Sequence, residues 1–181
     1  MATPELTADQ ITQVSGLLAQ FIRNHREKYV ARATTPISAQ QKTVMSGFFT
    51  PAVLESTRLL VLQGERFPNP EFYPLLQGLG FKNLPDQSGM AAITLCDVVI
   101  SHEPFSNSLL FHELVHAEQY RQLGIPRFSE LYVRGFLQGG SYEAIPLEVN
   151  AYALEERFRR NPHQRFSVEA EVAKLIEAGK L

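Results

Sequence analysis

Apolar residues fall at helical spacing over several stretches of this chain. After Thr7, the residues Ile11, Val14, Leu17, Leu18, Phe21, Ile22, His25 and Tyr29 recur at helical spacing, and Thr7-x-x-Gln10 has the form of a capping box. That spacing predicts a long amphipathic first helix. Ser38-x-x-Gln41 predicts a second helix with Val44, Met45, Phe48 and Phe49 as its apolar side, and Thr50-Pro51 opens a short third to about Glu55. Arg58 to Gln63 (RLLVLQ) reads as a strand, and Gly89 to Ser101 (GMAAITLCDVVIS), apolar, β-branched and bounded by turn residues, predicts another. The Pro-rich run from Phe67 to Pro85 predicts a long loop with one helical turn around Phe72 to Leu79, and its length marks it as a cleft wall or lid.

Farther along, Ser106, Asn107 and Ser108 offer N-caps to a helix whose apolar residues are Leu109, Leu110, Phe111, Leu114, Val115 and Ala117. Gly124 and Pro126 are placed to end it. Ser129 to Leu137 predicts a further helix closed by Gly139-Gly140. Pro146 opens another to about Arg160, and Ser167 caps a last one with Val168, Val172, Leu175 and Ile176 inward. No internal repeat is visible. Helices outnumber two or three strands and do not alternate with them, which gives an α+β fold. The expected organisation is a single domain over residues 1–181, with a helical N-terminal part at about 5–55 and a chemical core at about 89–160.

His112-Glu113-Leu114-Val115-His116 lies inside the predicted apolar helix and carries the chemistry. Residues four apart share a helix face with Cβ atoms about 5–6 Å apart, from which two imidazole nitrogens can reach one Zn²⁺ at about 2.0–2.1 Å. Glu113 follows the first histidine, where it can take a proton from water held by the ion. Two buried histidines without partners would be costly, so a pair of core histidines bonded to backbone or carboxylates is the plain alternative.

A catalytic zinc needs a third protein ligand and an open position. Gln119 and Gln122 stand where an H-E-x-x-H-x-x-G-x-x-H pattern requires Gly and His, and all three aspartates, Asp9, Asp86 and Asp97, precede the motif. Glu118 does not share the face of His116, and Glu169, Glu171 and Glu177 fall on a charged terminal helix. Glu148 is favoured because it lies in the first turn of an otherwise apolar helix, one turn before the small Ala151. Glu143, Glu155 and His163 remain alternatives. Tyr142 and Tyr152, close to Glu148 in sequence, are candidate donors to a developing oxyanion. His102 is expected in a solvated loop, His25 as a satisfied core histidine and Cys96 as a small buried hydrophobe in its strand.

The composition narrows the setting. With 44% hydrophobic and 20% charged residues the chain can bury a real core. A formal net charge of −2 with no long basic cluster argues against a nucleic-acid surface, and the mixed run Glu155 to Arg160 reads as a solvated helix face. The single cysteine excludes an intramolecular disulfide and a Cys-based structural zinc site. A polar start without a secretory signal, and no apolar stretch of about 18 residues, set aside a membrane span and make a cytoplasmic protein the expectation. No oligomerisation signal stands out.

His112-Glu113-x-x-His116, the following Glu148-x-x-Ala151 and the preceding AAITLCDVVI together resemble the gluzincin-type zinc metallopeptidases. More closely still, they resemble small bacterial zincin-like domains with segments of the HELVHAEQY and PLEVNAYALE kind; the likeness spans about residues 89–160. The resemblance implies a zincin-like fold with an active-site helix, a glutamate-bearing helix beside it and an edge strand, here Gly89 to Ile100, along which an extended peptide or protein substrate pairs. It also implies Zn²⁺ held by His112, His116 and Glu148, and hydrolysis of peptide bonds with Glu113 as general base. Many gluzincins carry Asp four residues after the third ligand. This chain has Tyr152 there, which puts the support of the metal site in question. A zincin-like module that holds a peptide without cleaving it is the alternative reading.

Overall fold

The computed structural model describes residues 4–33 and 35–181. Its described part is α+β, about 60% helical, with a small mixed sheet. In chain order the elements are α1 (Ala8–Val30), β1 (Thr35–Pro36), α2 (Ala39–Met45), α3 (Pro51–Ser56), β2 (Arg58–Val61), α4 (Tyr73–Gly78), β3 (Ala92–Leu95), β4 (Val98–Ser101), α5 (Asn107–Gly139), α6 (Pro146–Arg160) and α7 (Val168–Glu177). The capping boxes form as the sequence predicts, with Thr7 closing on Gln10 and Ser38 on Gln41.

The strand order is β1-β2-β4-β3, with β2 and β4 parallel and the outer pairs antiparallel. The stretch expected as one strand from Gly89 to Ser101 is instead a hairpin, folding back at Cys96 and Asp97. Cys96 therefore sits at a turn rather than within a strand, half-buried and with φ of +61°. Of the two hairpin strands β3 lies at an edge of the sheet and β4 in its interior, so the edge strand expected over Gly89 to Ile100 contracts to Ala92–Leu95. Thr35–Pro36, too short to show an alternating pattern, adds a fourth strand to the two or three expected.

Helix α5 is the axis of the molecule. Ser106 caps it through Leu109 N–H, and its first half is buried all round, with Leu110, Phe111, Leu114 and Val115 fully so. A helix apolar on every side must be enclosed, and here it is. Behind it, Phe111 stacks on Phe158 of α6 with ring centroids 4.5 Å apart, and Phe48, Phe49 and Phe166 close the cluster. Gly124 and Pro126 do not end this helix but bend it: Gly124 adopts φ +69°, and helical structure resumes to Gly139, where Gly140 terminates it in the left-handed region. Pro126 is tolerated because it opens the second segment, where a missing N–H costs nothing.

The approach of α6 is set by glycine. A Cβ at Gly135 would stand 2.5 Å from Pro146 Cδ, closer than real side chains come, so only Gly admits the start of α6 here. Ala151, fully buried, repeats the close approach one turn on from Glu148. Among the described residues no helix is long and apolar enough to cross a membrane.

Candidate metal centre

The first half of α5 brings His112 and His116 onto one face, and the first turn of α6 brings Glu148 against them. His112 Nε2 and His116 Nε2 lie 3.2 Å apart. Glu148 Oε2 stands 3.5 Å from the first and 3.3 Å from the second. All three residues are 4–6% exposed. These are the residues that, among those described, bring three ligand atoms of the right type together.

The imidazole tautomers follow from their outer contacts. His116 Nδ1 meets Gln119 Oε1 at 2.9 Å, and the Gln119 amide is fixed in orientation because its Nε2 donates to Leu147 O at 3.0 Å and to Asn150 Oδ1 at 2.9 Å. Nδ1 of His116 therefore carries the proton. His112 Nδ1 meets Glu155 Oε2 at 3.2 Å, an acceptor, so it too is protonated at Nδ1. Both Nε2 lone pairs then point at each other and at a carboxylate, an arrangement that calls for a cation between them.

A tetrahedral zinc with ligands at about 2.0–2.2 Å holds neighbouring ligand atoms about 3.3–3.6 Å apart. The observed separations of 3.2 to 3.5 Å fit that ion, as does a donor set of two neutral imidazoles and one carboxylate. Without a cation, protons take its place. Burial opposes charging His112, but hydrogen bonds to Glu148 and Glu155 outweigh it and push its pKa up to about 10. His116 moves up in the same way, burial being overcome chiefly by the charge of Glu148. Burial would raise the Glu148 carboxyl, yet the two imidazoles hold it well below the usual carboxylate range.

Glu113, 4% exposed, points to the neighbouring strand rather than at the histidines. Thr94 Oγ1 of β3 donates to Glu113 Oε2 at 2.7 Å, which fixes one carboxylate oxygen. Glu113, His116, Glu148 and Thr94 share the wall of a narrow cleft, lined also by Leu18, Phe21 and Ile22 of α1. Tyr142 also lines this cleft and donates to Glu148 Oε2 at 2.7 Å. Burial, then the charge of Glu148, raises its pKa and keeps it a neutral donor. Tyr152 lies at the rim, 46% exposed, its ring centroid 4.5 Å from that of His112.

The alternatives for the third ligand fall elsewhere. Glu143 is exposed in a short 3₁₀ turn, and His163 is exposed beyond the end of α6. Glu155 does reach the site, but on the Nδ1 side of His112, where it orients the ring; it supplies the support that Tyr152 cannot, one turn farther along the same helix. Glu118 is turned away, bound to Arg121 and Gln122. His102, expected in solvent, pins two segments instead: its Nε2 accepts from Phe67 N–H at 2.9 Å while Nδ1 donates to Met90 O. His25 meets Phe21 O within its own helix and packs against Phe67.

Sequence reasoning missed Gln119, Tyr120, Tyr132, Asn150, Thr94 and Gln87. Helical spacing held a signal for two of them, since Gln119 and Tyr120 follow His116 at i+3 and i+4. Thr94 reaches the cleft through the hairpin's position in the fold, and Gln87 through the short turn that precedes it. Comparison with known proteins returns no matching family model, no similar curated protein and no similar solved structure.

Proposed function

We propose that this chain is a zincin-like, zinc-dependent peptidase, with Zn²⁺ held by His112, His116 and Glu148. One observation carries the reading: three convergent donor atoms, separated as zinc ligands are, stand beside a carboxylate that is not itself a donor and that faces a cleft. A pair of satisfied core histidines would need neither the Nε2-to-Nε2 approach nor Glu113 in the wall.

When bound, Zn²⁺ would polarise the substrate carbonyl and lower the pKa of water in the cleft. The remaining work belongs to the chain. Glu113, steadied at Oε2 by Thr94, accepts a proton at its other oxygen and returns it to the leaving amine. Gln119 and Glu155 hold the imidazoles in the tautomer that presents Nε2. Tyr142 donates its one hydroxyl proton to Glu148 Oε2 and so steadies that carboxylate; it would serve a substrate oxygen only by releasing this bond. Strand β3, at the sheet edge and against Glu113, offers main-chain groups for an extended peptide.

The test is hydrolysis of an unfolded protein by the zinc-loaded chain, with Glu113→Gln as control. Loss of cleavage with zinc retained supports the peptidase. Zinc-dependent peptide binding without cleavage by either form would favour the silent binding module.

A further inference from the structure

One imidazole joins the two ends of the long excursion between β2 and β3. The chain leaves the sheet after Val61, passes through Phe67, α4 and a short 3₁₀ turn at Gln87–Gly89, and returns to β3 at Ala92. His102, just after β4, stands at the neck: Phe67 N–H donates to its Nε2 at 2.9 Å, and its Nδ1 donates to Met90 O. Its own backbone N–H donates to Ala91 O at 2.9 Å, which holds the residue against the returning arm. On that arm Gln87 and Met90 line the cleft shared by Glu113, His116 and Glu148.

These bonds fix the protonation state of the ring. A carbonyl oxygen can only accept, so Nδ1 carries a proton; an amide N–H can only donate, so Nε2 carries none. The bridge therefore exists only in the neutral imidazole. A proton added at Nε2 would set two N–H groups against each other across the same gap, while the bond from Nδ1 to Met90 persists. Histidines change charge between about pH 5 and 8. Phe67 is held by its fully buried ring against Phe21, His25 and Tyr29, so the arm carrying Met90 is the one that yields. Asn69 joins the two arms a second time, to Asp86 Oδ1 and Gln87 N–H, which confines the change to the neck.

The charged and titratable groups on the segments around His102 are Glu65 and Arg66 ahead of Phe67, Asp86 ahead of Met90, Glu103 beside it and His25 of α1. Glu65 is bound to Arg32, Asp86 to Asn69 and Ser88, and His25 to Phe21 O, while Arg66 and Glu103 are exposed. The two backbone groups thus set the state of this ring.

We propose that His102 is a pH-sensitive clasp on the wall of the cleft: neutral, it ties Phe67 to Met90 and holds the wall in; protonated, it releases Phe67 and lets Gln87 and Met90 move outward. The clasp itself stands on geometry, and its effect on turnover rests on the reading of the cleft as a hydrolytic site. With His112, His116 and Glu148 only 4–6% exposed, a looser wall widens access to them.

The experiment follows the Phe67 amide by NMR in the unmodified chain and in His102→Gln, whose side chain keeps a donor and an acceptor but has no titrating proton. In the unmodified chain this amide should exchange with solvent about three- to tenfold faster at about pH 5 than at about pH 8, after division by the intrinsic rate. In His102→Gln the two values should agree, and in His102→Ala exchange should be fast at both. Equal protection at both pH values in the unmodified chain, or a pH response kept by His102→Gln, overturns the proposal. The ratio of kcat/KM between the zinc-loaded unmodified and His102→Gln chains on an unfolded protein should rise about three- to tenfold over the same range, since acid loss at the metal ligands is common to both. A flat ratio beside a responding amide removes the clasp from control of the cleft. A responding amide with no turnover in either chain upholds the clasp and fails the hydrolase, because the amide readout needs neither zinc nor cleavage.

Discussion

Gln119 accepts the Nδ1 proton of His116 and, through the same amide, donates to Leu147 O and Asn150 Oδ1 on the helix that carries Glu148. One fully buried side chain thus sets the tautomer of His116 and ties it to the helix that positions Glu148. Gln119→Leu should lower zinc affinity by about 10- to 100-fold, measured by competition with a chromophoric chelator. An unchanged affinity would mean that the amide only packs.

Protein purified without an affinity tag should contain about one zinc per chain by elemental analysis. His112→Ala, His116→Ala and Glu148→Ala should each abolish it, whereas Glu143→Gln and His163→Ala should not. Iron in place of zinc, or zinc retained in Glu148→Ala, would refute the assignment.

Glu113→Gln should reduce turnover by about 10²- to 10⁴-fold at unchanged zinc content. Thr94→Val removes the bond that fixes Glu113 Oε2 and should lower kcat while KM stays near its original value. A Thr94→Val enzyme with full kcat would show that the carboxylate needs no anchor.

Metal-free protein should respond to pH in a direction set by the imidazoles. The folded-state pKa of His112 is raised from 6.5 to about 10, so its contribution to stability is complete below pH 6.5 and is lost as pH rises toward 10. Glu148 is depressed, so its contribution holds above the ordinary value of 4.5 and fails in acid. Chelator-treated protein should therefore resist urea better at about pH 6 than at about pH 9, and zinc should remove that difference, since the ion requires neutral imidazoles. Equal midpoints at both pH values in the chelated protein would count against the buried cluster.

Gly135→Ala should push α6 away from α5, because the added Cβ would fall 2.5 Å from Pro146 Cδ. We expect a loss of about 1–3 kcal/mol in urea unfolding and weaker zinc binding, since Glu148 follows Pro146 by two residues. Cys96→Gly should act in the opposite direction, relieving a left-handed backbone position by up to about 1 kcal/mol. A destabilised Cys96→Gly protein would point to the thiol as a packing element.

Elements governed by local physics were legible from the chain. Capping boxes, Pro openings and helical spacing placed α1, α2, α3 and α6, and the His112 to His116 repeat placed two donors on one face. What failed was governed by contacts distant in sequence. Nothing about Cys96-Asp97 resembles a turn, because glycine is the usual occupant of the left-handed position that Cys96 takes, so a hairpin passed for one strand. Gly124 and Pro126 carried a true signal for a break, but whether the chain stops or bends there depends on what Phe128, Val133 and Phe136 pack against. Glu148 could be favoured by elimination, yet Glu155 could not be separated from it until the fold showed which imidazole nitrogen each one faces.

The bend at Gly124 joins two walls of one cleft. The segment before it carries His112, Glu113 and His116, and the segment after it turns Phe128 and Tyr132 toward the same space. A single peptide unit thereby sets the angle between the imidazole pair and the aromatic surface that faces it, so a change at this residue would reshape the cleft while leaving every candidate donor in the sequence.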